Sequence, residues 1–367
     1  MKTIRRLIYR ETLSGVSFVT FGFLALFFFF DMVDELRWVG RVEGYQMSHA
    51  LMYVALSLPA HLYELLPITV LIGTIFVMAR LAQSSEFTIM RTSGLGPWRA
   101  LRTLLVLGCG FVVLTFAVGD YLSPLSDRAA QLVKANRMGQ ITTGATGAWL
   151  KERQGERSVA VNVRALDPQG NMRGVRVFEF DAEGRVSSTL QAATGQFGTD
   201  GTGWDLQQVQ RSIFHRGTGG ESRVERRQDA ELRWSTHITT DMVAASLLKP
   251  DQMSTIGLFQ YIRHLESNGQ AAQKYEIEFW RKVFYPLSCL VMVVLSLPFA
   301  YLHFRSGGIA GYVFGGVMAG ISFFLLNNVF GYAGNLQNWS PMLTAAAPGL
   351  IYSLLSLGAF GWLVLRR

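Results

Sequence analysis

"SFVTFGFLALFFFF", residues 17–30, carries no charge and gains length from Met32 and Val33. A helix needs about 20 apolar residues to cross the hydrocarbon core of a bilayer, so this run reads as a membrane span. Working outward, comparable runs follow at 104–118, 283–302, 308–332 and 342–365. A sixth, residues 51–78, is interrupted by Pro59, His61, Glu64 and Pro67, which a span tolerates where neighbouring helices satisfy the freed backbone. Half of the 367 residues are hydrophobic, 16% are charged and 25 are Phe, the bias of a membrane protein. The first run is too long for a signal peptide, and "DMVDELRWVG" follows it instead of a small-residue cleavage site.

Basic residues set the orientation. Lys2, Arg5, Arg6 and Arg10 precede span 1; Arg80, Arg91, Arg99 and Arg102 lie between spans 2 and 3; Arg305 lies between 4 and 5; Arg366 and Arg367 end the chain. All fall on one side of a six-span arrangement, which the positive-inside rule makes the cytoplasm, with both termini. The net charge of +8 partly reflects this bias, and no nucleic-acid module accompanies it. The two cysteines, Cys109 and Cys289, lie inside spans and do not read as a disulfide.

The expected organisation is spans 1–3 in residues 1–125, a soluble domain in 126–275 and spans 4–6 in 276–367. The insert reads as β. Val159, Val161 and Val163 alternate with polar or small residues, and "DPQGN" (167–171) is a turn signal. Val175 and Val177 resume the alternation before a bulge-like phase shift to Phe178 and Phe180. "TDGTG" (199–203) and "HRGTGGES" (215–222) punctuate further strands, as in a sandwich or open barrel. A helical pattern returns at "TIGLFQYIRHLESNG" and ends at Gly269.

Signatures of intrinsic chemistry are missing. There is no G-x-x-x-x-G-K-[ST] phosphate loop and no G-x-S-x-G, and the six histidines are dispersed without metal-ligand spacing. Gly307, Gly311 and Gly315, with Gly316 and Gly320, recur at four-residue spacing in span 5 and read as close helix packing. Glu64 reads either as a gate or ion site or as a local salt bridge or water-facing position. Asn327 and Asn328 read as interhelical hydrogen-bonding residues.

Three longer stretches carry a resemblance: "LAQSSEFTIMRTSG" (81–94), "FFFFDMVDELRWVG" (27–40) and "SNGQAAQKYEIEFWRKVFYPLSCLVM" (267–292). With them the chain resembles, nearly end to end, the LptF/LptG permease family of the lipopolysaccharide-export ABC transporter, its LptG branch most of all. The resemblance implies six transmembrane helices with an inserted periplasmic β-jellyroll. It implies a heterodimer with LptF, a cytoplasmic LptB dimer that binds ATP and magnesium and does the hydrolysis, and LptC as the link to a periplasmic bridge. The chain itself would then be non-catalytic and without a cofactor. Spans 1 and 5 would form lateral gates for lipopolysaccharide.

By the same resemblance, residues 81–94 form a coupling helix for LptB, with Glu86 and Arg91 as contact residues. Phe87, Ile89 and Met90 point to different sides of a helix, which suits insertion into a protein groove and not a membrane surface. Gly94 makes a helix stop. Arg37 and Lys134 match basic positions for lipid phosphates, with Arg41, Arg128 and Arg137 nearby; Asp31, Trp38 and Gln131 depart from the family's basic pattern, and Trp38 reads as an interfacial anchor. Two other classes compete: a gradient-driven flippase or secondary transporter, and a membrane-anchored periplasmic lipid-binding module.

Overall fold

The computed structural model describes residues 2–41, 44–138, 147–154, 157–167, 171–198, 203–216, 222–239, 242–243, 246, 250–301 and 309–362. The chain forms two compact units. One comprises Met1–Glu35, Val54–Asp127 and Gln273–Arg367, the other Leu36–Tyr53 and Arg128–Ala272.

Among the described residues, six helical stretches are long and apolar enough to cross a membrane: Lys2–Leu36, Met47–Gln83, Pro97–Lys134, Gln273–Tyr301, Ala310–Leu336 and Pro341–Phe360. The first two are the continuous helices α1 (Lys2–Leu36) and α2 (Met47–Gln83). At 1.5 Å per residue α1 is about 52 Å long, well beyond a hydrocarbon core. The helix α2 forms the centre of the first unit: 83% of its apolar window is buried within the chain, against 11% for α1. It stays helical through Pro59 and Pro67. The Tyr285 hydroxyl donates to the Glu64 carbonyl (2.5 Å) and the Thr69 hydroxyl to the Leu66 carbonyl (3.1 Å), supplying side-chain donors around Pro67.

After α3 (Glu86–Thr92), the third span runs through α4 (Pro97–Ala117), a π-helical turn at Val118–Leu122 and α5 (Ser123–Met138) without a break. The Gly119 carbonyl in that turn accepts a hydrogen bond from Lys282 Nζ (3.2 Å). The fourth span is segmented, because Pro286 and Pro298 fall in 3-10 turns at Tyr285–Leu287 and Leu297–Tyr301. Those turns divide it from the later helix α7 (Gln273–Phe284) into α8 (Ser288–Ser296), before α9 (Ile309–Leu336) and α10 (Pro341–Phe360). Leu71, Ile75 and Met78 of α2, Leu104 of α4, Met292 and Val293 of α8 and Phe323 of α9 build one apolar core.

The second unit is a six-stranded antiparallel sheet: β1 (Ala148–Gln154), β2 (Arg157–Leu166), β3 (Met172–Phe180), β4 (Val186–Phe197), β5 (Trp204–Arg216) and β6 (Ser222–Trp234), paired in chain order. All six described strands belong to this one sheet. The alternation works as read: Val159, Val161, Val163, Val175 and Val177 are buried on one face. The register shifts at Glu179/Phe180. The strand β1 has no such pattern in the sequence, because its inward positions are Ala148, Leu150 and the buried carboxylate Glu152, while Trp149 points out.

The sheet is curled. Directly after β6, the Thr236 hydroxyl (2.6 Å) and the His237 amide (2.8 Å) donate to the two carboxylate oxygens of Glu152 on β1. In a flat sheet the two edge strands would lie about 24 Å apart. Curvature, with Trp204 packed on Trp234 and Phe197 and its indole donating to the Ile238 carbonyl (3.0 Å), brings them together at this point.

The helix α6 (Thr255–Ser267) is capped by Ser254, whose hydroxyl accepts from the Gly257 amide. Its far end meets β1, where the Arg153 amide donates to Asn268 Oδ1 (3.0 Å). His264 lies nearby with Nε2 buried and without a hydrogen-bond partner among the described residues. Burial pushes the imidazole down from its ordinary value of 6.5, with the Glu152 charge opposing. Native His264 thus binds fewer protons than the unfolded chain just below pH 6.5, so this unit gains stability as pH rises through that window and loses it as pH falls. Thermal melts at pH 5.5 and 7.5 check this: His264→Gln should narrow the difference between the two, and an unchanged difference contradicts the assignment.

Candidate functional site

The segment between spans 2 and 3 is a short, exact fit to its local sequence. Ser85 adopts a left-handed conformation (φ 62) and turns the chain out of α2 into α3. At the other end Gly94 has φ +99, the Gly94 amide donates to the Arg91 carbonyl and the Leu95 amide to the Met90 carbonyl. That is a Schellman closure, completed by Leu95 and Met90, both buried. Gly96 and Pro97 then start α4.

Within α3, Phe87 (2% exposed) and Met90 (6%) face this chain's own core. The Phe87 ring meets Tyr301 edge-on at 5.1 Å between centroids, and the Arg91 guanidinium lies over the same Tyr301 ring at 4.9 Å. Ile89, in contrast, is 62% exposed, and Glu86, Thr88 and Thr92 are exposed too. At 100° per residue, Thr88, Ile89 and Thr92 form the outer face, with Glu86 and Arg91 on its two flanks. The expectation of partner contacts all round the helix is therefore revised. Two of its three apolar side chains anchor α3 to the membrane unit and only Ile89 is offered outward. The i, i+3 spacing of Phe87 and Met90 was the available signal. Trp98, at the start of α4, is also outward at 66% exposure, and no local sequence pattern singles it out.

The cationic candidates separate. Lys134 on α5 has its amine over the Tyr53 ring (4.6 Å) and the Trp38 ring (5.7 Å), so Trp38 serves the cation directly. Arg37, Arg41 and Arg128 are exposed. Gln131, one turn before Lys134, donates to Gln252 Oε1 (3.1 Å). The side chain of Arg137 lies outside the described residues.

The glycines of span 5 divide as well. A Cβ on Gly316 would come within 2.7 Å of Ile75 and one on Gly320 within 2.8 Å of Ile68, so both lie tightly against α2. Gly311 and Gly315 look onto open space within this chain, and Gly307 lies outside the described residues. Glu64 is exposed, and Asn327 acts through its backbone carbonyl, which accepts from Arg281 Nη2 (2.9 Å).

Six spans, an inserted curled sheet and a short helix whose apolar anchor is internal and whose outer face is exposed define a multi-pass membrane protein with a folded insert. Residues 6–366 match the family described as lipopolysaccharide export system permease LptF/LptG, and the chain belongs to that family. It is 27% identical to the lipopolysaccharide export system permease protein LptG of Escherichia coli (strain K12), over 99% of this chain and 98% of the relative. It is 24% identical to the LptG protein of Haemophilus influenzae, over 100% and 99%. Similarity to the LptF protein of Escherichia coli (strain K12) is 24% over 66% of this chain and 72% of the relative.

Proposed function

We propose that the chain is an LptG-type subunit that extracts lipopolysaccharide from the outer leaflet of the inner membrane and passes it toward a periplasmic bridge. ATP hydrolysed by a partner LptB dimer drives the step; LptF is the paired permease subunit and LptC the periplasmic link. Near full-length similarity to LptG relatives supports the LptG branch over LptF. The observation that carries the coupling role is the division of α3 into a buried inner face and an exposed outer one. Such a helix transmits a push from a docked protein to the spans, because its inner face is packed into their core. Both termini and α3 are then cytoplasmic and the sheet periplasmic, in line with the basic bias of the loops. The curled sheet with one apolar face suits a jellyroll-type slide for acyl chains.

Lys134, held over Trp38 and Tyr53, is the cation we assign to the lipid phosphates, with Arg37 as the second and Arg41, Arg128 and Arg137 as outlying ones. Photo-crosslinking of lipopolysaccharide to the purified complex tests this. Lys134→Glu should lower the yield about tenfold, as expected for losing a charge-assisted phosphate contact of about 1.4 kcal/mol, while Lys134→Arg retains most of it. Equal yields for the wild type and the glutamate variant would remove Lys134 from the substrate path.

A further inference from the structure

The helix α1 touches the rest of its unit along one narrow stripe. Ile8, Thr12 and Val16 are buried, while Phe18, Phe21, Leu26, Phe29, Phe30 and Val33 are exposed. Three polar rungs bind that stripe to α2. Glu11 pairs with Arg80, the Thr20 hydroxyl donates to Thr69 Oγ1 (2.9 Å), and His61 Nε2 meets Asp31 Oδ2 at 2.7 Å. Glu11 to Asp31 is 20 residues on α1 and Arg80 to His61 is 19 on α2, about 30 Å and about 28 Å of antiparallel helix, so the rungs stay in step.

The rungs differ in what surrounds them. Between the first and second, the two backbones touch: a Cβ on Gly73 would come within 2.6 Å of Val16 Cα, and one on Gly15 within 2.7 Å of Val77 Cγ2 and 3.2 Å of the Gly73 carbonyl. Contact at this range holds the helices without long side chains between them. At the third rung the junction is made by side chains, the Asp31–His61 pair and the Phe27 ring lying 4.8 Å from the imidazole. A carboxylate and an imidazole inside an apolar span are costly to leave unpaired, so this rung resists opening.

We propose that Gly15 and Gly73 form the pivot of α1 and that Asp31 and His61 are positioning residues, a latch that holds its far half against α2 until lipopolysaccharide enters. The proposal rests on the permease reading, in which α1 is one gate helix. Opening separates the helices beyond Thr20 and leaves the Glu11–Arg80 end in place.

The test uses the full complex reconstituted in vesicles, with cysteines at 31 and 61, or at 11 and 80, in a Cys109→Ser, Cys289→Ser background. A short reducible bifunctional thiol reagent joins each pair after assembly, so folding precedes the lock. Joining 31 to 61 should slow ATP-driven lipopolysaccharide release about tenfold or more while ATP hydrolysis persists, and reductant should restore release. Joining 11 to 80 should leave release near the unlocked rate. Normal release with 31 joined to 61 overturns the latch, and equal arrest by both locks overturns the pivot. The exchanged pair Asp31→His with His61→Asp should recover the release lost in Asp31→Asn; failure to do so in an assembled, ATP-hydrolysing complex assigns these residues no pairing role. A complex with Asp31 and His61 intact that releases no lipopolysaccharide counts against the permease reading itself, whereas loss confined to the unjoined 31/61 cysteine pair is the loss expected of a missing latch.

Discussion

Glu86→Lys is expected to abolish lipopolysaccharide export while leaving the chain folded and inserted. Glu86 is exposed in the first turn of α3, so the change costs the fold little: an acidic residue at a helix N-terminus contributes roughly 0.3–1 kcal/mol. In the proposed coupling role its value lies in the docked state. Removing one partner of a charge pair buried at an interface costs about 2–5 kcal/mol, and reversing the charge adds repulsion. Export should therefore fall by more than about 30-fold. ATP hydrolysis by the complex should drop with it or lose its link to release, and Glu86→Gln should fall between. Ile89→Glu, at the centre of the outer face, should act in the same direction without disturbing the core. Export rate and ATPase rate measured on one preparation check both variants, and normal export by Glu86→Lys would detach α3 from energy transfer.

Phe87→Ala should have the largest effect on stability in this region. The ring is 2% exposed and packs on Tyr301 inside the core of the membrane unit. A Phe-to-Ala change at such a site costs about 3–5 kcal/mol, from lost transfer energy and the cavity left behind. The helix α3 would lose its main anchor, so a lowered melting temperature should accompany weakened coupling. Phe87→Leu, which keeps most of the volume, should recover most of the stability. The contrast with Glu86 separates the two faces: Phe87→Ala lowers stability and coupling together, Glu86→Lys coupling alone.

The spans were legible because an apolar run of bilayer length has few other readings. The strands holding Val159, Val161, Val163, Val175 and Val177 were legible through alternation. The strand β1 was not, since it puts Glu152 in the core and Trp149 outside, with the Thr236 hydroxyl and the His237 amide donating to the buried carboxylate from a distant part of the chain. Likewise Gly316 and Gly320 differ from Gly311 and Gly315 only by what lies opposite, which one helix's sequence does not contain. The contact between Gly15 and Gly73 left no local pattern, because Gly73 is the lone glycine of α2 and Gly15 has only Gly22, seven residues on, in α1. In α3 the residues were visible but their assignment was not: Phe87 and Met90 share a face, and only the fold says that this face belongs to the chain's own core.

In the proposed function, energy reaches this permease from outside, through α3. This route is tested most directly in proteoliposomes holding the chain with LptF, LptC and lipopolysaccharide, by measuring transfer to a soluble acceptor with and without the LptB dimer and ATP. Transfer is expected only when LptB hydrolyses ATP, and none when Glu86→Lys replaces the wild-type chain. Transfer without LptB, driven by an imposed ion gradient, would contradict this route.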